Sequence, residues 1–149
     1  MKISVTGVHK NLSRKEIVRM VEWSGHKLMS DRLLENMTIQ VIFKNLTNKF
    51  SGYCYCDKNK TYIIEVNTNK TKRNQVRTLF HEMVHVKQFA KGELKFYTYK
   101  HELAKWMGEE HNDTDYEYWD LPWEIEALGR EEGLYRMYAE HKKRLAKNK

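Results

Sequence analysis

Apolar and polar residues alternate with two different periods along this chain. From Ser13 to Lys27 the apolar positions Ile17, Val18, Val21 and Trp23 recur at helical spacing. Ser13 followed by Glu16 has the form of a capping box, with Leu12 and Ile17 at the positions of a hydrophobic staple and Gly25 marking fraying near the end. From Met37 to Phe43 the period drops to two: Met37, Ile39, Val41 and Phe43 share one face, Thr38, Gln40 and Ile42 the other. A second alternation sets Tyr62, Ile64 and Val66 against Thr61, Ile63, Glu65 and Asn67, joined through a turn at Asp57–Lys60 to a strand from Phe50 to Cys56. These three strands predict a small, mainly antiparallel sheet.

The strongest helical pattern runs from Asn74 to Lys91. Val76, Leu79, Phe80, Met83, Val84 and Phe89 form its apolar stripe, between a cap at Asn74 and a stop at Gly92. Residues 93–121 read as irregular, rich in tyrosine and acids, with a short helix around Glu102 to Met107. Pro122 suits the first position of a final helix reaching Lys147, because proline there sacrifices no helical hydrogen bond. The expected fold class is α+β, one domain over 1–149, with the small sheet packed on the N-terminal helix and on the Asn74–Lys91 helix.

Composition narrows the function. With 40% apolar and 32% charged residues among 149, the chain has the balance of a folded, water-soluble domain. No apolar run is long enough for a signal peptide or a membrane span, so a cytoplasmic location with no membrane partner is expected. The only cysteines, Cys54 and Cys56, share a strand face two residues apart, where a disulfide would be strained; free thiols are expected. The net charge of +7 is unevenly spread, with nine acids against Lys105 alone between His101 and Glu126, and a basic C-terminal tail from Lys142 to Lys149. That tail and Lys70-Thr71-Lys72-Arg73 leave open a nucleic-acid partner through phosphate attraction.

The candidate chemistry lies inside the strongest helix. His81-Glu82-Met83-Val84-His85 is an H-E-x-x-H pattern, and residues i and i+4 stack on one helical face, so both imidazoles can reach one zinc ion. Zinc acidifies a water, and Glu82 stands where it can take the proton as that water attacks a peptide carbonyl. Phe80, Met83 and Val84 anchor the opposite side of the helix. A catalytic zinc needs a third protein ligand, and Leu121-Pro122-Trp123-Glu124-Ile125-Glu126-Ala127 offers two carboxylates in the first turn of the final helix. Glu124 and Glu126 stand about 200° apart on that helix, so both cannot face one ion.

The pairing of H-E-M-V-H-V-K-Q on one helix with P-W-E-I-E-A opening a later one resembles the gluzincin branch of the zincin metallopeptidases, in particular the small gluzincins of phages and bacteria. The resemblance is close over His81 to Ala127 and holds only in outline elsewhere. It implies a minimal zincin-like domain, a peptide or protein substrate, and zinc held by His81, His85 and Glu124, with Glu82 as catalytic base. Leu128 stands where the family often has an aspartate, so another group must orient a ligand ring. The resemblance also makes the Tyr62–Val66 strand the sheet edge that receives an extended substrate. Tyr97, Tyr99, His111, Tyr116 and Tyr118 are candidate electrophiles for the oxyanion. Gln88 lies near His85 and would ordinarily be exposed, Glu126 reads as a solvated first-turn acid, and His9, His26, His101 and His141 have no partner at ligand spacing.

Two rivals fit less of the chain. A protease of the SprT or Spartan type, acting on DNA-bound protein, also carries H-E-x-x-H but takes a third histidine, and His101 and His111 lack the helical context for it. A basic nucleic-acid-binding or partner-binding module with structural zinc would need four closing ligands, which the residues around His81 do not supply.

Overall fold

A computed structural model describes residues 1–8, 11–97 and 102–149 of the chain. Its first layer is a four-stranded sheet of β1 (Lys2–Thr6), β2 (Thr38–Lys44), β3 (Gly52–Cys56) and β4 (Thr61–Asn67), in the order β1-β2-β4-β3. Helix α1 (Arg14–Leu28) and the single-turn α2 (Asp31–Glu35) connect β1 to β2. A crossover of that length returns the chain in the same direction, so β1 and β2 pair in parallel, as do β2 and β4; only β3 and β4 are antiparallel. The sheet is therefore mixed, not mainly antiparallel. Alternation gives a strand's faces but not the direction of its neighbour. The Tyr62–Val66 strand is likewise not an edge: β4 lies between β2 and β3, and β3 forms the rim.

Helix α1 starts where its cap predicts, with Ser13 Oγ accepting the Glu16 N–H at 3.0 Å, and it buries Ile17, Met20, Val21 and Leu28. Gly25 does not fray the helix. It is buried, and a Cβ there would lie 3.3 Å from Leu34, so its bare Cα lets α2 approach.

Helix α3 (Lys72–Ala90) lies across the sheet and buries Val76, Leu79, Phe80, Met83, Val84 and Val86 against Ile39, Val41, Ile64 and Val66. Its cap is Thr71 rather than Asn74: the Thr71 hydroxyl accepts the Asn74 N–H at 3.2 Å. It ends at Gly92, at φ +69°, where the Gly92 and Glu93 amides close back on Phe89 and Gln88 in a Schellman turn.

The described residues of 93–121 are more ordered than their composition predicts. They form a three-stranded antiparallel sheet of β5 (Leu94–Phe96), β6 (Leu103–Trp106) and β7 (Glu109–Asn112), followed by two 3-10 turns at Asp113–Asp115 and Tyr118–Asp120. The expected helix around Glu102 to Met107 is instead β6 and the start of a two-residue turn, with both Met107 and Gly108 at positive φ. Leu94, Ala104, Leu121 and Trp123 make a second small core here, closed by Phe89, Phe96 and Trp106. Helix α4 (Pro122–Lys147) begins at Pro122 and packs on α3 through Ala127, Leu134 and Tyr138. Among the described residues no helix is long and apolar enough to cross a membrane.

Candidate metal centre

Helix α3 presents His81 and His85 one turn apart, and the first turn of α4 brings Glu124 against both. His81 Nε2 lies 3.1 Å and His85 Nε2 3.2 Å from the Glu124 carboxylate, and the two Nε2 atoms are 3.2 Å apart. Three donors around one metal ion at about 2.0–2.1 Å in tetrahedral geometry stand roughly 3.3 Å from one another. The observed triangle is close to that size, and His81, His85 and Glu124 form a buried group that could hold a metal ion.

The outer atoms of both rings are also committed. His81 Nδ1 donates to Glu131 Oε2 at 2.9 Å, and His85 Nδ1 donates to Gln88 Oε1 at 2.7 Å. Gln88 is fixed in that sense because its amide nitrogen donates to the Trp123 carbonyl and to Glu126. With each Nδ1–H pointing outward, both Nε2 atoms turn toward Glu124, an arrangement that could hold a cation. The field agrees. Burial opposes a charged His81, but hydrogen bonds to Glu124 and Glu131 outweigh it and raise its pKa to about 10. Burial likewise opposes ionised Glu124, but the two histidines hold its pKa down to about 2.

Glu82 is buried beside this group, and burial raises its pKa above the ordinary carboxylate value. Its neighbour on the sheet is Gly52, at the start of the rim strand. A Cβ on Gly52 would lie 2.6 Å from both the Glu65 carbonyl and Thr78 Cγ2 and 3.2 Å from Glu82 Oε1, so only glycine lets β3 lie this close to the carboxylate. The Asn67 amide donates to Ser51 O, so in the antiparallel ladder Tyr53 and Tyr55 bond to β4 while Gly52 and Cys54 turn their backbone groups to the open edge. The loop leading into β3 is held by buried Asn67, whose side-chain amide donates to the Thr47 and Phe50 carbonyls.

Two chambers flank Glu82. The larger, about 510 Å³, is bordered by Lys49, Phe50, Arg77, Trp119, Leu128 and Glu131; the smaller, about 230 Å³, lies toward Cys54 and Trp123. Gly52, Tyr53, Glu82 and Tyr118 border both. Of the described candidate electrophiles, Tyr118 borders both chambers and hydrogen-bonds Glu124. Burial and the charge of Glu124 push its phenol well above the usual range, so it remains a donor. His111 bonds Tyr116 Oη at 2.8 Å and packs on Trp123, Tyr97 is exposed, and Tyr99 lies outside the described residues, as do His9 and His101.

Glu126 is kept away from the triangle. Lys87 Nζ reaches it at 2.7 and 2.8 Å, so it is an ion-paired residue rather than a solvated one. Gln88, expected to be exposed, is fully buried. Glu131 was not anticipated; its signal was its place seven residues beyond Glu124, two turns along the same face of α4. Cys54 and Cys56 are free, and two tail cations pair within the chain, Lys142 with Glu16 and Lys143 with Glu140. The chain matches no protein-family model, no curated protein and no solved structure, so its functional reading rests on this geometry.

Proposed function

We propose that the chain is a zinc-dependent metallopeptidase of the zincin type, with His81, His85 and Glu124 holding the metal and Glu82 as general base. The observation that carries this reading is the convergence of the three donors, at 3.1–3.2 Å from one another, beside a buried carboxylate beneath an open sheet edge. A zinc ion bound there would polarise a carbonyl as a Lewis acid and lower the pKa of a water. Glu82 then takes that water's proton and delivers it to the departing amine. Burial raises its proton affinity, which suits both halves of that task.

Glu131 and Gln88 keep each ring in the tautomer that directs Nε2 inward. Tyr118, protonated and bordering both chambers, is the donor for negative charge developing on the substrate oxygen. An extended peptide adds to the outward groups of Gly52 and Cys54, which moves the substrate ledge from β4 to β3.

Metal analysis beside an unbiased peptide digest tests the proposal. The purified chain should take up one zinc per molecule, His85→Ala should lose it, and Glu82→Gln should keep it while turnover falls by about 10²–10⁴. A chain that stays metal-free in zinc, or a Glu82→Gln variant of unchanged turnover, would overturn it.

A further inference from the structure

The two chambers differ in electrical character. Lys49 and Arg77 border the larger, whereas among the described residues no lysine or arginine lines the smaller. The walls of the smaller are Cys54, Phe89, Leu94, Phe96, Leu121 and Trp123, and among the described residues its charged group beyond Glu82, His85 and Glu124 is Asp113.

Asp113 opens the first 3-10 turn after β7, where its backbone amide donates to Glu102 O. Among the described residues no cation pairs with its carboxylate. Strand register explains this. Leu94 faces Trp106, and Phe96 faces Ala104, on the side turned to Trp123, while Lys95 and Lys105 oppose one another on the other side of the small sheet. The two lysines of that sheet are therefore directed away from the chamber, while His111, opposite Ala104, lies on the Trp123 side and bonds Tyr116.

Resting on the peptidase reading, we propose that this chamber selects a lysine or arginine side chain of the substrate, with Asp113 receiving its charged head. Aromatic and aliphatic walls suit the methylene stem of such a side chain, and the ring faces of Phe89, Phe96 and Trp123 tolerate a cation. The volume of about 230 Å³ has room for one long side chain. A neutral apolar side chain would fill the walls equally well but leave Asp113 desolvated and unpaired, which is the basis of the discrimination. The larger chamber, bordered by Arg77 and Lys49, does not favour the same side chain.

The test uses the full chain loaded with zinc and a set of blocked octapeptides in an alanine-glycine background, each carrying lysine, arginine or norleucine at one position. Binding is measured on Glu82→Gln by fluorescence anisotropy, and cleavage by the wild type is followed by mass spectrometry. At one position lysine and arginine should bind about tenfold tighter than norleucine. In the double variant with Asp113→Asn that ratio should fall to within about twofold, since asparagine keeps the shape and removes the charge. Wild-type cleavages should fall at a fixed distance from that position. Norleucine binding as well as lysine, a preference indifferent to Asp113→Asn, or no binding of any peptide would overturn the assignment. A retained lysine preference with no cleavage would overturn the peptidase reading and support the chamber. Cleavage beside apolar residues regardless of Asp113 would do the reverse.

Discussion

Glu131 accepts the Nδ1 proton of His81 at 2.9 Å from a position two helical turns beyond Glu124, so one face of α4 contacts both nitrogens of the same ring. The same carboxylate takes Arg77 at 3.3 Å, which fixes its own orientation. Removing it frees the imidazole to rotate and to change tautomer. Glu131→Ala should weaken zinc binding by about 10- to 100-fold, read by competition with a chromophoric chelator. Glu131→Gln, which still offers an acceptor oxygen, should lose less. Equal affinity in all three proteins would show that the ring is held by other means.

Protons and a metal ion compete for this triangle, which sets a pH dependence. In the metal-free chain the raised His81 pKa, about 10 against an ordinary 6.5, contributes stability that is complete below about 6.5 and lost as pH rises through 10. The lowered Glu124 pKa, about 2 against 4.5, contributes stability present above 4.5 and lost as pH falls toward 2. Both shifts describe one ion pair and are not added. Thermal unfolding in chelator should therefore show this contribution at its fullest between about pH 4.5 and 6.5. Zinc-loaded protein should gain stability relative to that baseline as pH rises from 6 to 9, and zinc uptake at pH 7 should release protons in calorimetry across buffers of different ionisation enthalpy. Uptake with no proton release would contradict the assignment of His81 as a ligand.

Lys87 is buried on α3 with its ammonium between Glu93 and Glu126, tying the second sheet to α4. Cutting the side chain leaves two carboxylates without their shared partner. Lys87→Ala should cost about 3 kcal/mol in urea unfolding, whereas Lys87→Ala combined with Glu126→Gln should recover part of that loss. Because Glu126 also holds Gln88, and Gln88 holds His85, the single variant should weaken metal binding as well.

How much of this was legible in the chain depends on the range of the forces involved. The capping box at Ser13, the stripe from Val76 to Phe89, the Gly92 stop and Pro122 at the head of α4 are local signals, and each corresponds to an observed element boundary or face. Helix geometry says only that Glu124 and Glu126 cannot both face the histidines; the choice of Glu124 comes with the family resemblance, and Glu124 is the one beside them. Long-range relations escaped. Nothing near Lys2–Thr6 states that this segment pairs in parallel with β2, and although the Asp57–Lys60 turn signals the β3–β4 hairpin, nothing in Thr61–Asn67 states that its other side pairs in parallel with β2. The hairpin of β6 and β7 turns at Met107-Gly108, without the asparagine or aspartate that usually marks such a turn, and its short strands carry charge on one side. One turn beyond Glu124 stands Leu128, and the ring is held instead from two turns beyond, by Glu131.

Gly52 offers the sharpest separation of metal binding from catalysis. It is absent from the donor triangle, yet a Cβ there would press on the Glu65 carbonyl and Thr78 at 2.6 Å and on Glu82 at 3.2 Å. Backbone in the β3–β4 ladder yields less readily than a side chain, so Gly52→Ala should displace the rim strand and the Glu82 carboxylate together. Zinc affinity should stay within about threefold of the wild type because His81, His85 and Glu124 lie on α3 and α4, whereas turnover should fall by 10-fold or more, roughly the effect of an ångström of misplacement. Steady-state kinetics beside chelator competition reads both quantities. If turnover and zinc affinity fell in proportion, Gly52 would be supporting the fold as a whole; if neither moved, the close approach of β3 to Glu82 would have no part in the chemistry.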